Sequence, residues 1–156
     1  MTIYTDREGN KHSKQADSKI RTRSGSFIIC LYQNKILFVE ETHAPNSPNL
    51  PGGGIDQGET AWQAVQREML EETGLILPDV TPSKTHKKIA HYYADVDNEF
   101  WDYEQTYFLI NEGIETLFFN GTKDAPENGI AEWIDVNTLD HRNIHAIHLA
   151  TIKEML

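Results

Sequence analysis

The sequence predicts an α+β (mixed α/β) domain, and three observations carry that prediction. Five runs rich in Ile, Val, Phe, Tyr and Trp read as strands, most of them joined in pairs by short polar turns. Two segments repeat apolar residues at helical spacing. Neither an internal repeat nor a shift in composition divides the 156 residues, a length suited to one domain with one good core.

In chain order, residues 2–12 are expected to form a small hairpin about Arg7-Glu8-Gly9-Asn10, because Gly-Asn is a turn signal. Residues 13–24 read as a polar connector, so residues 1–24 are taken as an N-terminal arm and 25–156 as the domain. Ser26 to Tyr32 and Lys35 to Glu41 are strands about a Gln33-Asn34 turn. A loop with two prolines follows, from Thr42 to Leu50, and then a glycine-rich turn from Pro51 to Gly58. The first helix is expected over Ala61–Thr73, with Thr60 and Gln63 spaced as a capping box and Gly74 placed to end it. Its apolar side is Ala61, Trp62, Val65, Met69 and Leu70. Lys84 to Ala94 and Phe100 to Ile110 are strands joined by an acidic turn, and Gly129 to Val136 is a short last strand with Trp133 anchored in the core. A second helix is expected from about Asn143 to Met155, with Ile144, Ile147, Ile152 and Met155 near one side.

Composition narrows the function classes. The formal net charge is −10, yet residues 1–23 carry six Lys and Arg against three acids. A body this acidic is not built to bind duplex nucleic acid through a broad phosphate-neutralising surface. A phosphorylated small molecule would have to be held locally, by metal and a few positive groups. No apolar run reaches the roughly 18 residues of a membrane span, the N-terminus is polar rather than signal-like, and the single cysteine, Cys30, sits in an apolar run as a buried thiol. These features together predict a cytoplasmic protein.

The chemistry concentrates in Gly53–Leu75, GGIDQGETAWQAVQREMLEETGL. Glu68, Glu71 and Glu72 share one sector of the first helix near its C-terminus. Their i,i+3 and i,i+4 like-charge pairs cost a few tenths of a kcal/mol each, and acids there oppose the macrodipole. A hard divalent cation with oxygen ligands, Mg²⁺ or Mn²⁺, would remove the conflict. Taken alone, three glutamates are more often a solvated face. The whole string, however, resembles the Nudix box, with Gly53, Glu59, Arg67, Glu68, Glu71, Glu72, Gly74 and Leu75 at the box positions and Met69 in the first aliphatic slot.

That resemblance implies a Nudix-type α/β/α sandwich, with a curved mixed β-sheet between helices, and Mg²⁺-dependent hydrolysis of a nucleoside diphosphate linked to another moiety X. It implies Glu68, Glu71 and Glu72, with Gly53, as metal ligands. Glu68 is then a ligand or the base that deprotonates the attacking water, with Glu72 and Arg67 also in the catalytic set. Arg67 is expected to orient Glu71 through an ion pair, Glu59 to play a structural or outer role, and Gly53 and Gly54 to bring backbone to the substrate. In relatives a further acid from a later loop completes the metal set or serves as base, and Glu99, Glu104, Glu127 and Glu132 are the candidates here, each alone more often a surface carboxylate. Tyr92 and Tyr93 stand near a tyrosine position that marks diadenosine polyphosphate hydrolases, and Trp101, Tyr103 or Phe108 could stack on a base. His141, His145 and His148 read as surface histidines. Relatives are often homodimers. The competing reading is a non-catalytic nucleotide-sensing module of the same fold, and an isomerase of that fold would want a loop cysteine that Cys30 does not supply.

Overall fold

The computed structural model describes every residue except 41–45, 116 and 118–129. Its centre is the parallel pairing of β3 (Ile20–Tyr32) with β7 (Glu99–Ile110), in register from Ile20 opposite Phe100 to Cys30 opposite Ile110. Around that pair the sheet runs β2-β1-β6-β7-β3-β4-β8, with β5 (Gly52–Gly54) added beside β3. The outer strands are β1 (Ile3–Thr5), β2 (Lys11–Ser13), β6 (Lys84–Ala94), β4 (Lys35–Glu40) and β8 (Ile130–Asp135). Two parallel pairs, β1–β6 and β3–β7, lie among antiparallel ones, so the sheet is mixed.

Strand alternation sends Phe27, Ile29, Tyr107 and Leu109 to one face. There they pack on Ile152 and Met155 of α2 (Ala146–Met155) and on Leu139 of a 3₁₀ turn (Val136–His141). Ile28, Cys30, Phe108 and Ile110 go to the other face, against Val65 and Met69 of α1 (Ala61–Thr73). A helix on each side of a mixed sheet is the α/β/α sandwich expected. Cys30 is fully buried, and burial pushes its thiol pKa up, which fits an inert core residue. No helix among the described residues is long and apolar enough to cross a membrane.

α1 keeps its expected bounds. Thr60 and Gln63 form the reciprocal capping box, and Gly74 takes a left-handed φ of 72°. The β3–β4 turn puts Gln33 and Asn34 at positive φ, as a tight hairpin requires. Three readings are corrected. β3 starts at Ile20, so the connector is shorter than expected; its polar first half is held by pairing with β7 rather than by burial. The glycine run, expected as a turn, contains a strand, because Gly52, Gly53 and Gly54 pair with Phe27, Ser26 and Gly25 although glycine has no strand preference. On α1, Leu70 is 46 % exposed while Glu72 is only 3 % exposed. The helix is thus turned to present Glu72 to the glycine strand.

Candidate active site

The site is built where α1 crosses β5. Gly52 N–H donates to Glu72 Oε1 at 2.9 Å, fixing the helix to the strand. A Cβ at Gly53 would stand 2.8 Å from Glu68 Oε1, so the missing side chain makes room for that carboxylate. Gly54 contributes its carbonyl, which accepts from Arg67 Nη2 at 3.0 Å. The three glycines therefore serve three different residues of one helix.

Arg67 is the hub. Its Nε and Nη2 donate to both oxygens of Glu59 at 2.8 and 2.9 Å, and its Nη1 reaches Glu68 Oε1 at 3.0 Å and Glu71 Oε2 at 3.3 Å. Asp56 lies 3.4 Å from Nη2. The hydrogen bonds from Arg67 hold the Glu59 carboxyl down to about 2. Hydrogen bonding to Glu59, opposed by burial and helped by Glu68, raises the guanidinium pKa further. The ion pair with Glu71 is present as expected, and the two-pronged fork goes to Glu59, which gives that residue its structural role.

Four carboxylates thus share one guanidinium, leaving the cluster negative. Among the described residues no three His, Cys, Asp or Glu side chains are arranged to hold a metal ion. The geometry shows why: Arg67 lies between Glu68 and Glu71, while Glu72 is turned to Gly52. The donor chemistry still suits a hard divalent cation, since the cluster offers carboxylate and carbonyl oxygens and neither sulfur nor imidazole.

Beyond Glu72 opens a cavity of about 160 Å³ whose described lining includes Gly52, Glu72, Tyr92, Trp101, Tyr103 and Gln105. Arg23 stacks over Trp101 with its guanidinium carbon 4.5 Å from the ring centre, bringing positive charge to an aromatic wall. Burial raises the Tyr103 pKa to about 12, against the pull of Arg23 and with Glu68 adding to the rise. Gly25 leaves space for Tyr103, since a Cβ there would meet the phenol oxygen at 2.4 Å.

Of the aromatic candidates, Tyr92, Trp101 and Tyr103 line this cleft. Tyr93 instead stacks on His12, and Phe108 packs edge-on against Trp62 in the α1 core. The histidine reading is corrected in part. His141 is exposed, but His145 and the buried His148 line the cleft. The signal was in the sequence: His148 sits four residues from both Ile144 and Ile152, on the apolar side of the helix.

Among the later acids, Glu104 accepts from Ser24 Oγ at 3.1 Å, and the Ser24 carbonyl accepts from Ile55 N–H of the box loop. Glu99 is occupied by Trp101 and Arg21, and Glu132 forks with Arg142. Glu127 lies outside the described residues. Asn49, Gln105 and Gly52 also line the cleft; Asn49 and Gly52 fall in the run Asn49–Gly54 that resembles the lead-in to the box, whereas no motif marks Gln105.

Residues 22–155 match the family model of the NUDIX domain. The chain belongs to the Nudix hydrolase superfamily. It is 30% identical over 116 residues to the RNA pyrophosphohydrolase of Aeromonas hydrophila subsp. hydrophila, an alignment covering 69% of this chain and 66% of that one. A putative 8-oxo-dGTP diphosphatase of Bacillus subtilis is 47% identical over 51 residues, 32% of this chain and 34% of that one. The chain thus spans at most about two thirds of the length of these relatives. A MutT NUDIX hydrolase from Burkholderia pseudomallei superposes with a TM-score of 0.62 at 21% identity, covering 87% of this chain and 99% of that one. A NUDIX hydrolase from Nitrosomonas europaea gives 0.60 at 19%, covering 86% and 88%. These two structures share the fold of this Nudix hydrolase.

Proposed function

We propose that this Nudix hydrolase is a Mg²⁺-dependent nucleotide pyrophosphohydrolase, cleaving a nucleoside diphosphate linked to X into a nucleoside monophosphate and phosphorylated X. The observation that carries the reading is the shared wall. Glu72 belongs to the acidic box and also lines the aromatic cleft, so a nucleotide seated in the cleft would extend its phosphates toward Glu68 and Glu71. The similarity to an RNA pyrophosphohydrolase and to a putative 8-oxo-dGTP diphosphatase supports including RNA and nucleoside triphosphates among the substrates to test.

Glu68, Glu71 and Glu72, with the Gly53 carbonyl, would hold Mg²⁺ or Mn²⁺, which when bound supplies charge neutralisation at the phosphates and lowers the pKa of water. The protein's own part is positioning. Arg67 fixes Glu68 and Glu71 at 3.0 and 3.3 Å, and Glu68, where it does not ligate the metal, would take the proton of the attacking water. Arg23, stacked on Trp101, would bring a positive charge to the cleft for the phosphates, and the rings of Tyr92, Trp101 and Tyr103 would exclude water from the base.

The test is a hydrolysis screen over nucleoside triphosphates, dinucleoside polyphosphates and a 5′-triphosphorylated RNA oligonucleotide, with products identified by mass. Glu72→Gln keeps an oxygen to accept the Gly52 N–H, so it should fold normally while turnover falls at least about a hundredfold, removal of an essential electrostatic group. Equal turnover by the two proteins would refute the site. Tight nucleotide binding without turnover under any metal would favour the sensing module instead.

A further inference from the structure

Four polar side chains of the cleft, Asn49, Gln105, His145 and His148, share one property: each has an acceptor atom already engaged by the protein. Asn49 Oδ1 accepts from Arg7 Nη2 at 3.1 Å, and Gln105 Oε1 accepts from the Tyr107 hydroxyl at 3.0 Å. Nδ1 of His148 accepts from Leu50 N–H and Nδ1 of His145 from Ile147 N–H, both at 3.4 Å. Asn49, Gln105, His145 and His148 all line the cavity. What remains on each is a donor: an amide NH₂ on Asn49 and Gln105, and, with Nδ1 accepting, an Nε2–H on the neutral histidines. On these four the free N–H groups match carbonyl oxygens and ring nitrogens of a ligand, and the acceptor capacity that remains is the second lone pair of each amide oxygen, whose carbonyl is held toward Arg7 or Tyr107.

Arg7 sets one of these polarities. It comes from the turn between β1 and β2, ahead of residues 22–155 that match the family. It also holds Ser47 through Nε at 2.8 Å and Nη2 to the Ser47 carbonyl at 3.1 Å, and its own carbonyl accepts from Ala146 N–H at the start of α2. Asp6 anchors the same turn by accepting from Glu8 N–H, Asn10 N–H and His12. The N-terminal hairpin is therefore fastened to both walls of the cleft.

We propose that the cleft selects a 6-oxopurine nucleotide over an adenine nucleotide, and that Arg7 is a positioning residue for that choice. Guanine presents two acceptors, O6 and N7, along one edge, where adenine presents a donor at N6 beside N7. An array of fixed donors matches the first and leaves an N6 amino group facing N–H groups. The inference rests on the nucleotide reading above and adds which base is read and by what.

Calorimetric titration of the Mg²⁺-free protein with GMP, IMP and AMP tests it without relying on turnover. GMP and IMP, which share O6 and N7, should bind alike and about tenfold or more tighter than AMP, a conservative value for one bidentate contact. Gln105→Glu and Arg7→Gln should each narrow that ratio at least about threefold, the first by replacing a donor with an acceptor, the second by freeing the Asn49 amide to turn. AMP binding as tightly as GMP, or a ratio unchanged in both variants, overturns the proposal. If adenine and guanine nucleotides are hydrolysed alike, the base selection fails and the pyrophosphohydrolase reading stands. If no nucleotide is bound or hydrolysed, both fail.

Discussion

Arg67 grips Glu59 with two parallel hydrogen bonds, Nε to Oε2 at 2.8 Å and Nη2 to Oε1 at 2.9 Å. The fork ties the loop before α1 to the helix, while the remaining donor, Nη1, steadies Glu68 and Glu71. Lysine carries the same charge but cannot fork. Arg67→Lys should therefore lower kcat about 10- to 100-fold, the usual loss when a group that orients metal-binding carboxylates is changed. Glu59→Gln should act in the same direction. Steady-state kinetics with circular dichroism checks both, and retained secondary structure with unchanged kcat would refute the orienting role.

Arg23 is separate from the box and stacks on Trp101. Its expected contribution is to hold phosphate rather than to move protons. Arg23→Ala should raise KM about tenfold while kcat changes less than threefold, as for binding felt equally in ground and transition states. A fall confined to kcat would place Arg23 in the chemical step.

Gly52 has a φ of 145°, and a Cβ there would lie 2.2 Å from the Ser26 carbonyl oxygen and 2.8 Å from the Phe27 Cα. Both obstacles are backbone of β3 and cannot swing away. Gly52→Ala should cost about 2–4 kcal/mol, strain and overpacking combined, measured by urea unfolding. Gly54→Ala, with nothing within 4 Å of the added methyl, is the control and should cost far less.

His145 and His148 make stability depend on pH. Burial holds the His145 imidazole down to about 3, with Arg7 adding to the fall and Asp6 opposing it. Burial, then His145 and Arg7, holds His148 well below its usual range. Both folded values lie below the unfolded one near 6.5, so the unfolded chain takes up protons first. Their contribution is complete above that unfolded value and is lost as pH falls toward the folded one. From pH 7 to 5 the loss should be at most roughly 2 kcal/mol per histidine, and His148→Gln should flatten the slope. Urea midpoints across that range decide it; an identical slope in the variant would show that His148 is not the group responsible.

The sheet, α1 and its caps were legible because they depend on local rules: strand-like runs, a capping box, a stop glycine. Glu68, Glu71 and Glu72 could be named because the box is contiguous. The cleft was not legible in the same way. Asn49, Gln105 and His148 lie far apart in the chain, and it takes the β3–β7 register, the bridge of Asn49 to Val39 on β4 and the seat of α2 to bring them to one wall. Even within α1, helical periodicity could not tell that Leu70 faces water and Glu72 faces Gly52. That choice is made by β5, whose glycines carry no strand signal.

The parallel register of β3 with β7 joins segments about eighty residues apart. On the ribosome, α1 with its glutamates emerges well before Trp101 and Tyr103 are synthesised. Pairing at such separation is slow, on the millisecond-to-second scale of sheet-rich topologies. The nascent chain therefore carries its acids before it has anywhere to seat a nucleotide, and recognition is acquired only when translation has passed Ile110 and the later segments have closed over it.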